Sequence, residues 1–315
     1  MHPVRSRPTL TTDLALMAVA LVWGSSYLVA KDLTLVAPIL VVLALRYAIS
    51  AVALLAVCRG TRAPCPFRRQ LVVGGVLGLT QASVLTLETF GVSGTTATNA
   101  GLIISLTVVL TPLLDGLWRR RPMPAPFFVA TTLAVVGVAL LVSGDGFRAP
   151  GWGDGLMLAA AVVRALHVSL IGRLTAGRSD SSLTLTAVQA VVGTLVLSVA
   201  AAPALGSAVT RLPATAWVQL AYLGLACTVF AFLAQTWAIR RTSASRASLL
   251  MGTEPVWAVL VGVSLGGERL TVLMAAGAVL IVGATYYGQH VERRHRLGPV
   301  VLAPEAAPAR RLTSA

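Results

Sequence analysis

Apolar residues in this chain come in long blocks separated by brief polar punctuation, not in the alternating or every-third-residue patterns of a water-soluble fold. Residues 14–30, 36–57, 126–143 and 183–202 each hold at most one charge, and a helix needs roughly 20 apolar residues to cross a bilayer. Blocks, turn residues and arginine clusters together predict ten helical spans. They run over 13–31, 36–57, 70–91, 95–118, 124–143, 152–172, 183–202, 213–239, 243–265 and 271–290. The loops between them, such as "CRGTRAPCPFRRQ" and "RRRPMP", are too short to hold a soluble domain. From Val291 the chain is basic and then rich in proline and alanine, so 291–315 is expected to be a disordered tail.

Composition sharpens the class. The chain is 56% hydrophobic and 11% charged, where a soluble domain carries about 25% charged residues. An all-α polytopic membrane protein is the fold class that fits. The formal charge of +14 would suggest nucleic acid in a soluble protein, but here the arginines cluster between apolar blocks, as topology signals do. With the N-terminus inside, sixteen basic residues flank the cytoplasmic side, among them Arg59, Arg62, Arg68, Arg69, Arg119, Arg120, Arg121, Arg240 and Arg241. Only Lys31, Arg148, Arg211 and Arg269 flank the outside. Both termini are therefore expected in the cytoplasm, with the lipid bilayer as partner and no nucleic acid. Cys58, Cys65 and Cys227 form no ligand pattern, so neither metal nor cofactor is expected. "SSYLVAKD" makes a poor signal-cleavage site, and the first segment reads as a retained span.

The halves of the chain resemble each other. "TTATNAGLI" at 95–103 matches "TSASRASLL" at 242–250, an offset of 242 − 95 = 147, and "GVLGLTQA" at 75–82 is similar to "AYLGLACT" at 221–228. Five spans separate the copies, so the second enters the membrane from the opposite face. Ten transmembrane helices as two inverted five-helix repeats follow, over 13–143 and 152–290. That is an architecture of secondary transporters, with the binding site at the repeat interface near the midplane. The offset pairs Thr107 with Glu254, Glu88 with Gln235 and Asn99 with Arg246.

The chain resembles the EamA-type branch of the drug/metabolite transporter superfamily. The resemblance covers about 13–290 and rests on "WGSSYLVAK", "LRYAISA", "TTATNAGLI" and "WAIRRTSASRASLLMGTEPVWAVLVG…LGGERLT". It implies ten helices in two inverted repeats and the movement of small metabolites, commonly outward. Some positions depart from the family pattern. Val108 stands where a proline like Pro255 is expected, with Pro112 one turn later. Arg121 stands where the second copy has Glu268, and Arg164 falls opposite Trp23.

Charges inside spans are expensive, costing from about 2.5 kcal/mol upward at the bilayer centre, and so face a cavity or a partner. Arg46 and Glu254 lie deep in their spans, and Pro255 removes a backbone donor beside Glu254. Glu254 is thus a candidate for binding a proton, a cation or a substrate amine, with Pro112 and Pro255 as helix breaks. Arg164 and His167 lie three residues apart on one face of the sixth span. Glu88 and Gln235 are candidate gate residues on opposite sides of a central cavity. Trp23, Ser25, Tyr27, Asn99, Gln189 and Trp257 complete the expected cavity lining. Asp115 is expected to pair with Arg119, and the GxxxG spacings Gly74–Gly78 and Gly262–Gly266 read as close helix packing, with a homodimer as a further possibility.

The function this points to is a secondary transporter that moves a small metabolite or drug-like compound, amino-acid-like in its balance of charge, outward by alternating access. No G-x-x-x-x-G-K-[ST] loop occurs and Lys31 is the single lysine, which argues against ATP hydrolysis by this chain. The competing class is an integral-membrane enzyme. Against it, His2, His167, His290 and His295 form no H-E-x-x-H motif.

Overall fold

The computed structural model describes residues 10–62, 68–95, 100, 103–119, 123–142, 151–178, 180–265 and 271–296. All regular structure among these residues is helical. Helices α1 (Leu10–Val36), α2 (Ile39–Gly60) and α3 (Arg68–Ser93) are followed by α4 (Thr107–Arg119) and α5 (Ala125–Val142). The second half holds α6 (Trp152–Leu174), α7 (Ser182–Val209), α8 (Ala214–Gly224), a π-helical turn Leu225–Phe230 and α9 (Ala231–Arg241). It closes with α10 (Ala244–Met251), α11 (Glu254–Leu265) and α12 (Val272–Arg296). Among the described residues, six helical segments are long and apolar enough to cross a membrane: α1, α2, α3, α6, α7 and the run Ala214–Arg241. Leu21, Leu28, Val72, Leu79, Leu195 and Val199 point outward in these segments. Apolar residues on the outer face are what lipid requires of an all-α membrane protein.

Helix boundaries follow local chemistry. Ser181 caps α7 by accepting the Thr184 N–H at 3.3 Å, and Ser243 caps α10 by accepting the Arg246 N–H at 3.1 Å. Pro38 and Pro213 precede α2 and α8, where a missing donor is harmless.

The helices pack in a regular scheme. α1 lies on α9, α10 and α11, while α6 lies on α4 and α3. α3 also packs on α7, and α2 on α8 and the π turn. α2 pairs with α7, and α5 with α12. Small residues permit these approaches. A Cβ on Gly78 would lie 3.0 Å from the Gln189 backbone, and one on Gly193 would run into the Tyr47 ring. Gly74 and Gly78 thus seat α3 on α7 as the spacing suggested, whereas Gly266 lies outside the described residues.

Three spans differ from expectation. The span 243–265 was expected as one helix faulted at Pro255, but it is two helices with a turn at Gly252 and Thr253. Pro255 sits in the first turn of α11, where no intrahelical donor is needed. The fourth span turns at Leu106, and Pro112 lies inside the continuous α4. Span 213–239 contains the π turn, which hydropathy cannot reveal. At the C-terminal end, α12 continues to Arg296, so residues 291–296 are helical and not part of a disordered tail. Glutamate and arginine are good helix formers and carry the helix past the last apolar residues.

Candidate functional site

The turn at Gly252–Thr253 makes Glu254 the first residue of α11, only 4% exposed. The positive end of a helix dipole favours a carboxylate there. Both of its oxygens are engaged: Tyr27 on α1 donates its hydroxyl to Oε1 at 2.5 Å, and Arg164 on α6 donates Nη2 to Oε2 at 2.9 Å. Arg164 also reaches Glu88 of α3, Nη1 to Oε1 at 3.5 Å. Its guanidinium lies over the Trp23 ring, 4.4 Å from the centroid, a cation–π contact that a desolvated site strengthens. One arginine therefore ties α1, α3 and α11 to α6.

A second arginine is held differently. Arg46 Nε donates to Thr228 Oγ1 at 2.7 Å and Nη2 to the Cys227 carbonyl at 3.4 Å. Both acceptors belong to the π turn. An i→i+5 turn leaves carbonyls outside the ordinary ladder, and such turns recur at functional sites. Here Cys227 O also accepts Trp23 Nε1 at 2.9 Å, and Gly224 O accepts Ser50 Oγ at 2.9 Å.

These side chains line one cavity, bounded by Trp23, Ser26, Tyr27 and Ala30 on α1, by Gln81, Glu88, Thr89 and Val92 on α3, and by Arg46, Arg164 and Glu254. It extends from the middle of α1 and α3 toward their C-terminal ends. The space a water molecule can occupy is about 30 Å³, enough for one or two waters. A second, smaller void lies between the turns of the fourth and ninth spans, lined by Ser105, Thr107, Ser248, Gly252 and Pro255. Arg164 and Glu254 line both voids.

Trp23, Tyr27, Arg46, Glu88, Arg164 and Glu254 are thus brought together, and other candidates are not. Ser25 turns away to Tyr222, 2.6 Å between hydroxyls, and Ser26 lines the cavity in its place. His167 is 1% exposed and its Nδ1 meets Thr80 Oγ1 at 2.8 Å. Gln189 is buried against α3, with Nε2 lacking a partner among the described residues. Gln235 Nε2 donates to Met251 Sδ at 3.5 Å, and Gln235 is not among the residues lining either void. Trp257 is half-buried on α11, with Nε1 unpartnered among the described residues. Asn99 and the Arg119 side chain lie outside the described residues.

Several residues escaped the sequence reading. Asp13 takes Arg246 in a two-pronged ion pair, at 2.7 and 3.1 Å, clamping the start of α1 to α10. Gln81, Thr89 and the π turn were also missed. The π turn did leave a trace. Gly78 and Gly224, within "LGL", are 146 residues apart, whereas Thr95 and Thr242 are 147 apart. One extra residue therefore lies between Gly224 and Thr242, and the π turn Leu225–Phe230 is where it is housed.

A helical membrane protein with paired charges around an interior cavity is the architecture of a membrane transporter, and comparison with known proteins places the chain within that class. The profile of the EamA-like transporter family matches residues 10–143 and again 151–287, and the chain belongs to that family. An uncharacterized transporter of Archaeoglobus fulgidus is 29% identical over 87% of this chain and 84% of its own length. The uncharacterized inner membrane transporter YedA of Escherichia coli K12 is 27% identical over 88% of this chain and 90% of its own. One solved crystal structure superposes with a TM-score of 0.70, covering 90% of this chain and 98% of that one at 19% identity, which shows a shared fold.

Proposed function

We propose that the protein is a secondary transporter that exports a small metabolite with both anionic and cationic character, by alternating access of two inverted five-helix repeats. The observation that carries this reading is the set of four charged side chains, Arg46, Glu88, Arg164 and Glu254, lining one interior cavity with room for water. Charges are tolerated at that depth only where they serve a cavity or a pathway.

The packing scheme supports the repeats, 13–143 and 152–290. Exchanging α1–α5 with the later segments in order turns several of these contacts into others that exist. The α1 contact with α11 becomes that of α6 with α4, and the α3 contact with α6 becomes that of α9 with α1. The family profile matches each half once. Thr107 and Glu254, 147 residues apart, begin α4 and α11 after corresponding turns, which is how broken helices present a site in inverted-repeat transporters.

Arginine placement supports cytoplasmic termini in the cell membrane. At that expected inner end, Arg69 meets Asp180 at 2.8 Å and Arg240 meets Ser182 Oγ at 2.8 Å. The homodimer remains part of the proposal as a question for native mass measurement.

Proton coupling moves within the site. Glu254 has both oxygens committed, whereas Glu88 has one long contact and lines the cavity. Glu88 is therefore the better-placed carboxylate for an exchangeable proton. A pooled metabolite-uptake screen in vesicles of both orientations, with and without a proton gradient, tests the reading. Substrate-dependent flux is the expected result; product formation without flux would favour the enzyme class. With the substrate in hand, Glu88→Gln should transport without dependence on the gradient, and an unchanged dependence would rule out that role.

A further inference from the structure

We propose that Arg46 and the π-helical turn beside it form a carboxylate-binding station in the cavity, the point at which an anionic group of the ligand docks. The two cavity arginines differ in one respect. Arg164 meets two carboxylates within 3.5 Å. Arg46 is 5% exposed and has no carboxylate within 4.0 Å among the described residues. Its partners are a hydroxyl and a carbonyl, and its Nη1 has none among the described residues. It stands seven residues into α2 (46 − 39), about 10 Å along the axis at 1.5 Å per residue. A guanidinium at such depth costs free energy that neutral acceptors recover only in part.

Nor do its neighbours need Arg46 to satisfy them. Thr228 Oγ1 donates to the Leu223 carbonyl at 2.9 Å, and Cys227 O already accepts Trp23 Nε1 at 2.9 Å. A structural arginine leaves polar groups stranded when it is removed; this one leaves none. What its guanidinium lacks is a carboxylate in direct contact, and its side chain lines the cavity.

Size and charge select the anion. Room for one or two waters, about 30 Å³, accepts the two oxygens of a planar carboxylate. A tetrahedral dianion is larger and is repelled more strongly by Glu88 and Glu254. A guanidinium presents parallel donors that fit a carboxylate edge. Arg46 and Arg164 balance Glu88 and Glu254, so a bound carboxylate calls for one added positive charge. The uncommitted oxygen of Glu88 is where it enters, as a proton or as an ammonium of the ligand itself.

The station takes its purpose from the transport reading, but binding is measurable without flux. Thermal unfolding of the purified full-length chain in detergent, followed by tryptophan fluorescence, is compared with acetate, butyrate and benzoate and with their amides at equal ionic strength. The carboxylates should raise the midpoint in proportion to their occupancy, and the amides should not. Arg46→Met should have an unchanged or higher midpoint without ligand and should lose the carboxylate-dependent rise. Arg46→Lys keeps the charge but not the fork, and its rise should be smaller. Carboxylates and amides acting alike would overturn the station. So would an Arg46→Met midpoint that falls in ligand-free buffer as far as that of Arg164→Met. Flux without a carboxylate-dependent rise would remove the station and leave transport standing; the rise without flux would do the reverse.

Discussion

Arg164 is the residue on which the buried site converges, because a single guanidinium serves Glu254, Glu88 and the face of Trp23. Removing it leaves two carboxylates in a low-dielectric interior. Arg164→Met should therefore lose about 3–5 kcal/mol of stability, the cost of breaking a buried pair from one side, measured by thermal unfolding in detergent. Glu254→Gln keeps the shape of the side chain but gives up the charge on which Tyr27 and Arg164 converge. It should unfold earlier than Glu88→Gln, whose lost contact is the longer one at 3.5 Å. The opposite order would show that the two carboxylates have been ranked wrongly. Most of these residues were legible in the sequence, because a charge inside an apolar block stands out. Ser26 was not, since a neutral hydroxyl at the next position to Ser25 carries no hydropathy signal; which of the two faces the cavity depends on helix rotation alone.

Among the elements, the π turn and the two broken spans set the positions of the charged groups. The π turn presents Thr228 and Cys227 to Arg46 through its extra residue. Deleting Ala226 should restore a regular helix and rotate the following residues by about 100° relative to the preceding ones, one residue's share of a 3.6-residue turn. Such a variant should still reach the membrane, but it should lose both the carboxylate response and transport; wild-type behaviour would show the turn to be incidental. Packing gives a second test. Gly78→Leu places a side chain where a Cβ already lies 3.0 Å from the Gln189 backbone. It should destabilise the protein by about 1–3 kcal/mol through overpacking, whereas the same change at Gly75, with open space beside it, should not. The positions of the spans could be read from apolar blocks, but their internal faults could not. Pro255 drew attention to the right span and the wrong residue: proline marks where a donor is missing, while the turn forms at Gly252 and Thr253, where the chain leaves the helix.

At the scale of the molecule, membership of the EamA-like transporter family joins the helical fold and the interior charges to movement across a membrane. In the proposed repeat arrangement, the α1 contact with α11 corresponds to that of α6 with α4. The likeness of the halves was visible in "TTATNAGLI" and "TSASRASLL", yet the contacts between them were not, because partners such as Asp13 and Arg246 lie 233 residues apart. In the proposed cycle, the cavity between α1 and α3 is wet from each face of the membrane in turn. Ser26 lines that cavity and lies beside Tyr27, so its accessibility reports the cycle without knowledge of the substrate. The direct measurement is thiol labelling of Ser26→Cys, with Cys58, Cys65 and Cys227 replaced by serine, in sealed proteoliposomes of known orientation and with an impermeant reagent. Labelling from either face, in vesicles that stay sealed to the reagent, is the result expected of a cavity that opens alternately. Labelling from neither face, or from one face alone, would contradict it.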